Sequence, residues 1–550
     1  MNLVRLDREI VSEVRPALLM LLGAVGCVLL IACANLAGLL LARGLGRRRE
    51  LAVRTALGAS RGRVVAQLVA EGSLIAVAGG VLGVLMAPAG IRLLAAMVPT
   101  ALPATYAPGV DGHVLGFALA VSVLTGVGFS IAPAWQASRV ELNEALKQGG
   151  RGGIGGRGAG TRDALVVLEV ALALVLLVGA GLMLKTVARL RAVDIGFRPD
   201  HLLTMRSTLP RVKYSVPAKR IGFYHRVLDG ARALPGVADA AYVSTLPFSG
   251  QGNTQSYQVE GRERLAADPG DALLRVSSGR YLQVLGVTPV EGRLLDDSDR
   301  EGAHVVVINE TLKKLYFPKQ SALGHRIAMY SRPPVWRTIV GVVKDVRERG
   351  YEPAMKPAVY IPYEQFTDTW ALPDTLILRT AGDPTALANA ARRVIQEADP
   401  EQPVTAVSTM EGMIDLDVAD RQQQTTLLTA FAALALLLAS LGLYGLLAYT
   451  VTQRSREIGL RMALGASAAN VVRAVVMRGL LLAGLGLACG FLAARMLSGT
   501  LSGILYGVAA TDAATYVWVS LVLCGIVAAA CWIPARRAVR IDPIAVLREE

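Results

Sequence analysis

Seven long apolar runs, separated by clusters of charge, constrain this 550-residue chain more than any other feature. About 20 residues at 1.5 Å each cross the hydrocarbon of a bilayer, so a run of roughly 18 or more reads as a spanning helix. The runs are Pro16–Ala42, Ser73–Ile91, Val114–Trp135, Ala164–Leu184, Thr425–Thr452, Gly479–Ala494 and Ala513–Pro534. The sixth is short, but the apolar stretch from Met496 to Val508 extends it past Arg495 if that side chain snorkels. The composition, 53% hydrophobic and 18% charged, suits no ordinary soluble chain.

The net charge of +14 would suit a nucleic-acid binder, but much of the arginine lies beside the apolar runs and is not interleaved with aromatic residues. No nucleic-acid partner is expected. Arg43, Arg47, Arg48, Arg49, Arg54, Arg61 and Arg63 follow the first run, and Arg139, Lys147, Arg151, Arg157 and Arg162 the third. Arg454, Arg456, Arg461, Arg473 and Arg478 follow the fifth, and Arg536, Arg537, Arg540 and Arg548 close the chain. The loop from Pro99 to Gly112 has no Lys or Arg. The positive-inside rule puts the four basic segments in the cytoplasm, with the C-terminus inside and the membrane lipid as solvent. The tail Met1–Arg15 then lies outside with no leading span to carry it there. Either an N-terminal portion is missing or a short tail flips after synthesis.

The chain repeats itself. Arg49-Glu50-Leu51, Arg54 and Leu57-Gly58-Ala59-Ser60 match Arg456-Glu457-Ile458, Arg461 and Leu464-Gly465-Ala466-Ser467. Pro133-Ala134, Ala137 and Arg139 match Pro534-Ala535, Ala538 and Arg540. Each copy holds three spans in the same order, and one further span separates them, so the repeats run parallel. The fold class is therefore membrane α-helical, with about seven transmembrane helices in two parallel three-helix repeats and an inserted extracytoplasmic α+β domain.

The expected organisation is a tail (1–15), a first module of three spans (16–148), a Gly-rich cytoplasmic linker (149–163) and a span (164–184). An α+β domain (185–424) and a second module of three spans (425–550) complete it. Within the domain, period-2 and helical patterns predict strands at Leu202–Leu209, Val237–Val243, His304–Ile308, Arg337–Val346, Ala358–Tyr363, Thr375–Arg379 and Val404–Val407. Helices are expected at Ala218–Ala233, Glu310–Tyr316 and Pro384–Glu397, and the domain is either single or divided in two. Met410–Gln424 is expected to continue helically into the fifth span as a stalk.

The Arg-Glu-Ile-Gly-Leu-Arg-Met-Ala-Leu-Gly-Ala element from Arg456 to Ala466, the Pro534-Ala535-Arg536-Arg537-Ala538 motif and the outer α+β domain resemble FtsX/MacB-type ABC transporter permeases. Two-module permeases of acidobacterial type are more similar still, here apparently without the first span and first periplasmic domain. The resemblance implies a bacterial inner-membrane, multi-pass permease whose 185–424 domain is periplasmic. It also implies a cytoplasmic ABC ATPase dimer as partner and, in some relatives, a periplasmic adaptor or envelope protein. Arg49, Glu50, Leu51, Arg54 and Leu57, with Arg456, Glu457, Ile458, Arg461 and Leu464, would form two coupling elements facing that ATPase. Their leucines and isoleucine would seat in its groove, with the charges at the rim. The plainer alternative is that the arginines anchor the loops to anionic lipid while Glu and Arg pair at i, i+4; duplication of the glutamate favours the coupling role.

Glu169 is the one acid within a span, which makes a proton relay one reading. Its place one or two turns past Arg162 and Asp163 favours a structural pairing with them. Asp296, Asp297 and Asp299 read as a solvated turn. Gly179 to Thr186 approaches a phosphate-loop pattern, but Leu184 replaces the required glycine. The five histidines and five cysteines show no metal-ligand spacing. No catalytic residue, metal or cofactor is expected in this chain, and any ATPase activity would reside in a partner. A signalling scaffold that regulates an envelope enzyme and a secondary transporter are the alternative functions.

Overall fold

The computed structural model describes residues 6–46, 54, 60–97, 111–138, 158–250, 252–263, 265, 268–331, 333–366, 368–453, 467–501 and 503–539. Its helices are α1 (Leu6–Gly46), α2 (Arg61–Met97), α3 (Gly112–Ser138), α4 (Gly158–Arg191), α5 (Pro217–Arg232), α6 (Tyr281–Leu285), α7 (Glu310–Tyr316), α8 (Ala388–Ala398), α9 (Met410–Gln453), α10 (Ala468–Leu501) and α11 (Ala513–Val539). Among the described residues, seven helices are long and apolar enough to cross a membrane, and they contain the seven apolar runs. The chain divides into two compact units, a helical one drawn from 1–189 and 421–550 and a mixed one from 190–420.

In the helical unit α4 is the hub. Its Val166, Val170, Leu174, Val178 and Leu182, at four-residue spacing, form one core with Leu443 and Leu447 of α9, Leu482 of α10 and Leu523 and Val527 of α11. Ala173, Leu176, Ala180 and Met183 form a second core with Ala24 and Ile31 of α1 and Ala432, Ala435 and Ala439 of α9. Leu74, Leu82, Leu85 and Met86 of α2 are exposed instead, which in a bilayer means a lipid-facing side.

Lipid tails are as apolar as leucine, so helix pairing relies on close contact, and small residues mark the seams. A methyl placed on Gly490 of α10 would lie 2.8 Å from the carbonyl oxygen of Ala171 and 3.0 Å from its Cα. One on Gly486 would lie 2.6 Å from Cβ of Val170. The two glycines stand one turn apart against α4. Gly490→Ala must push two backbones apart, at a cost of about 1–3 kcal/mol by comparison with overpacked cores. The expected result is faster hydrogen exchange of the α4 and α10 amides in the purified chain; unchanged exchange would show that the seam is loose.

The mixed unit holds β1 (Leu202–Arg206), β2 (Val237–Val243), β3 (Thr254–Val259), β4 (Asp271–Ser277), β5 (Pro289–Gly292), β6 (Val305–Asn309), β7 (Arg326–Met329), β8 (Val335–Val343), β9 (Ala358–Pro362), β10 (Thr375–Thr380) and β11 (Thr405–Thr409). All eleven belong to one hydrogen-bonded sheet. One end is open and antiparallel in the order β11-β1-β10-β2, with α5 following β1 and α8 following β10, a split β-α-β arrangement. Val243 of β2 pairs with Ser277 of β4 and leads into the other end. There β4, β3, β7, β8, β6 and β9 follow one another, and β9 pairs back onto β4 to close a ring, with β5 added onto β8 outside it.

Phe223, Tyr224, Val227, Leu228 and Ala231 of α5 and Ala391 and Ile395 of α8 fill the core against the sheet. The acidic turn departs from its sequence reading. Asp296 caps a 3-10 turn (Asp297–Arg300), and Asp299 is buried with Arg293 bound to both its oxygens at 2.6 and 2.7 Å. A carboxylate with a bidentate arginine partner can leave water.

Candidate functional site

The helices that flank the two copies of the Arg-Glu element in the chain correspond to one another. α1 ends at Gly46 and α2 starts one residue after Ser60; α9 ends at Gln453 and α10 starts one residue after Ser467. Both serines begin the following helix, the Ser60 carbonyl accepting from the N–H of Arg63 and the Ser467 carbonyl from that of Asn470. The closing helices α3 and α11 are each 27 residues long. Arg49, Glu50, Leu51 and Leu57, and in the copy Arg456, Glu457, Ile458, Arg461 and Leu464, lie outside the described residues. Arg54 is described, and its guanidinium donates to Gln67 Oε1 at 3.0 Å, a tie to the first turns of α2.

A cavity of about 490 Å³ opens between α1, α4 and α9, lined mostly by apolar side chains such as Leu39, Leu165, Leu441 and Leu446. Glu169 of α4 lies against it, only 2% exposed. The pairing read from sequence is corrected here. Asp163 is held by Arg478 at 3.1 Å, and the Arg162 guanidinium lies 4.8 Å from the Tyr449 ring centre. Arg162 stands two turns from Glu169, about 10 Å along the helix, and does not donate to Glu169 Oε2. Glu169 Oε2 is buried with no hydrogen-bond partner among the described residues.

What Glu169 meets is Gly442 of α9 and Asn35 of α1. A Cβ on Gly442 would sit 2.1 Å from Glu169 Oε2 and 2.4 Å from Asn35 Oδ1, so the two oxygens converge over one glycine. The Asn35 amide nitrogen donates to the Leu438 carbonyl at 2.9 Å, which fixes the orientation of the amide. Asn35 and Gly442 hold equivalent positions in the two repeats, each eleven residues before the end of its helix. The repeats therefore meet at matching points, with Glu169 between them. Asn35 carried a signal in the sequence, being the only amide side chain in the run Pro16–Ala42.

At the other end of α4, Lys185 binds both oxygens of Asp512 at 2.7 and 2.8 Å, and Asp512 caps α11 through the Thr515 N–H and hydroxyl. This partner accounts for the lysine that made Gly179–Thr186 resemble a phosphate loop. The lysine, the threonine hydroxyl and the N–H hold the Asp512 carboxyl down at about 2. Among the described residues no cluster of three His, Cys, Asp or Glu side chains is placed to hold a metal.

Comparison with known proteins places these parts. The MacB-like periplasmic core domain matches residues 164–397, and the FtsX-like permease C-terminal domain matches twice, at 22–142 and 429–543. The macrolide export ATP-binding/permease protein MacB of Escherichia coli is 24% identical over 291 residues, 49% of this chain and 42% of MacB. The uncharacterized ABC transporter permease YknZ of Bacillus subtilis is 26% identical over 296 residues, 51% of this chain and 70% of YknZ. The chain thus matches less than half the length of the MacB relative. Among solved structures, the periplasmic region of MacB from Actinobacillus actinomycetemcomitans aligns at 14% identity and a TM-score of 0.29, covering 42% of this chain and 97% of that one.

Proposed function

Because this chain belongs to the FtsX/MacB-type ABC transporter permeases, we propose that it is the membrane subunit on which a separate cytoplasmic ABC ATPase dimer acts. The ATPase would push on the two Arg-Glu elements, and α4 and α9, each continuous from an apolar span into its flanking segment, would carry the motion to the periplasmic domain. Efflux or mechanical transmission across the inner membrane is the outcome this reading assigns, with the C-terminus in the cytoplasm. A periplasmic adaptor or envelope protein would receive it. The observation that carries the reading is the duplication of the Arg-Glu element between equivalent helices, glutamate included. A lipid anchor needs only positive charge.

The deciding experiment is affinity purification of the full chain from its own membranes, with an ATPase assay on what is retained. An ABC ATPase whose turnover changes on binding is the expected result. In parallel, cysteines placed at Ser60 and Ser467 are expected to resist a membrane-impermeant thiol label on intact cells and to react after lysis. Labelling of both from outside would overturn the orientation and with it the mechanism.

A further inference from the structure

We propose that the cavity between α1, α4 and α9 is a binding site for an amphiphile bearing a protonated primary amine, with Glu169 Oε2 and Asn35 Oδ1 accepting from the ammonium. The inference does not depend on ATPase coupling. Two oxygens converge over Gly442; Glu169 Oε2 is buried there without a hydrogen-bond partner among the described residues, and the Asn35 amide nitrogen, committed to the Leu438 carbonyl, does not supply one. A neutral carboxylic acid would bring one proton for two acceptors, whereas an ammonium brings three N–H groups and cancels the charge. A bare metal ion would need about six oxygens, whereas beyond Glu169 and Asn35 the walls are mostly leucine, valine, alanine and glycine, with two tyrosines and the cationic Arg162. The same walls suit an alkyl chain, and about 490 Å³ lies within the size of small-molecule pockets.

The placement follows from the repeat. Asn35 and Gly442 are equivalent residues, and the asymmetry between them makes the site: an amide on one helix, and on the other a glycine that leaves room for both oxygens. Arg162 lines the same cavity two turns nearer the basic loops. A phosphate could follow the amine into the cavity there, so the amine has two possible sources, a bilayer aminophospholipid or a soluble amphiphilic amine.

The test uses the full chain in nanodiscs of phosphatidylglycerol, titrated with dodecylamine and, as a neutral control of equal length, dodecanol, with bound molecules counted by native mass spectrometry. Glu169→Gln is expected to weaken dodecylamine binding by about tenfold or more, the scale of one charged hydrogen bond, and to leave dodecanol unchanged. Gly442→Ala puts a methyl between the two oxygens and is expected to do the same. It carries the test alone if Glu169→Gln loses its cooperative unfolding. Phosphatidylethanolamine retained one per chain from native membranes, and lost in the variants, would identify the lipid as the source; dodecylamine binding without such retention would identify a soluble amine. Equal affinity of the wild-type chain for amine and alcohol would overturn the proposal, as would unweakened amine binding in a folded variant.

Discussion

Arg275→Met is expected to destabilise the sheet domain by about 3–5 kcal/mol, the range found when one partner of a buried ion pair is removed. Arg275 sits on β4 with its side chain fully enclosed, and its Nε donates to Glu348 Oε2 at 2.9 Å. The other carboxylate oxygen accepts from the Tyr360 hydroxyl, also at 2.9 Å. Tyr360 is the register partner of Arg275 across the parallel β4–β9 pair, which closes the ring of strands. Removing the guanidinium would leave a carboxylate with one neutral donor in a dry interior, and the fold must then protonate it or open.

The measurement is hydrogen exchange of the β4 and β9 amides in the full chain, because a single unfolding free energy is ill-defined for a two-unit membrane protein. Exchange should accelerate more than about a hundredfold, since each 1.36 kcal/mol is a factor of ten. Arg275→Met combined with Glu348→Gln should recover much of the loss, because the amide oxygen still accepts from Tyr360 and no charge is stranded. If the double variant exchanged as fast as the single one, packing rather than charge would be the cause.

Reversing both Glu50 and Glu457 to Lys is expected to abolish retention of the ATPase on which the proposed function depends, and one reversal alone should weaken it partially. Opposed like charges at an interface cost several kcal/mol, more than the tenfold-per-1.4 kcal/mol scale of affinity lets a moderate complex survive. The reversal adds lysine to loops already rich in arginine, so membrane insertion by the positive-inside rule is reinforced rather than disturbed. Undiminished co-purification of the ATPase with the double variant would remove the coupling role from these residues. Arg54→Ala is a milder comparison, since its guanidinium is engaged with Gln67.

The strands that escaped the sequence reading show what pattern alone misses. β3 (Thr254–Val259) is polar on alternate faces, and β4 carries Asp271 and Arg275 in a run that is nevertheless almost wholly buried. A charged residue reads as surface until its partner is known, and Glu348 lies 73 positions away. By contrast α7 (Glu310–Tyr316) and β2 (Val237–Val243) were legible to the residue, because a helical or alternating period needs only neighbours in the chain. The same limit explains Glu169. Arg162 and Asp163 were its nearest charges along the chain, but Tyr449 and Arg478 hold them.

The seven spans, the repeat and the class of the inserted domain were legible from the order of residues alone. A bilayer offers no hydrogen bonds, so each apolar run must satisfy its backbone internally as a helix, a condition decided locally. It took the folded chain to show that the strands close into a ring, that Arg275 on the outer face of β4 meets Glu348, and that Glu169 faces Asn35 and Gly442 across a cavity. Those meetings depend on how helices and strands far apart in the chain cross, and the crossing is set by contacts between small residues such as Gly486 and Gly490, which leave almost no trace in hydropathy.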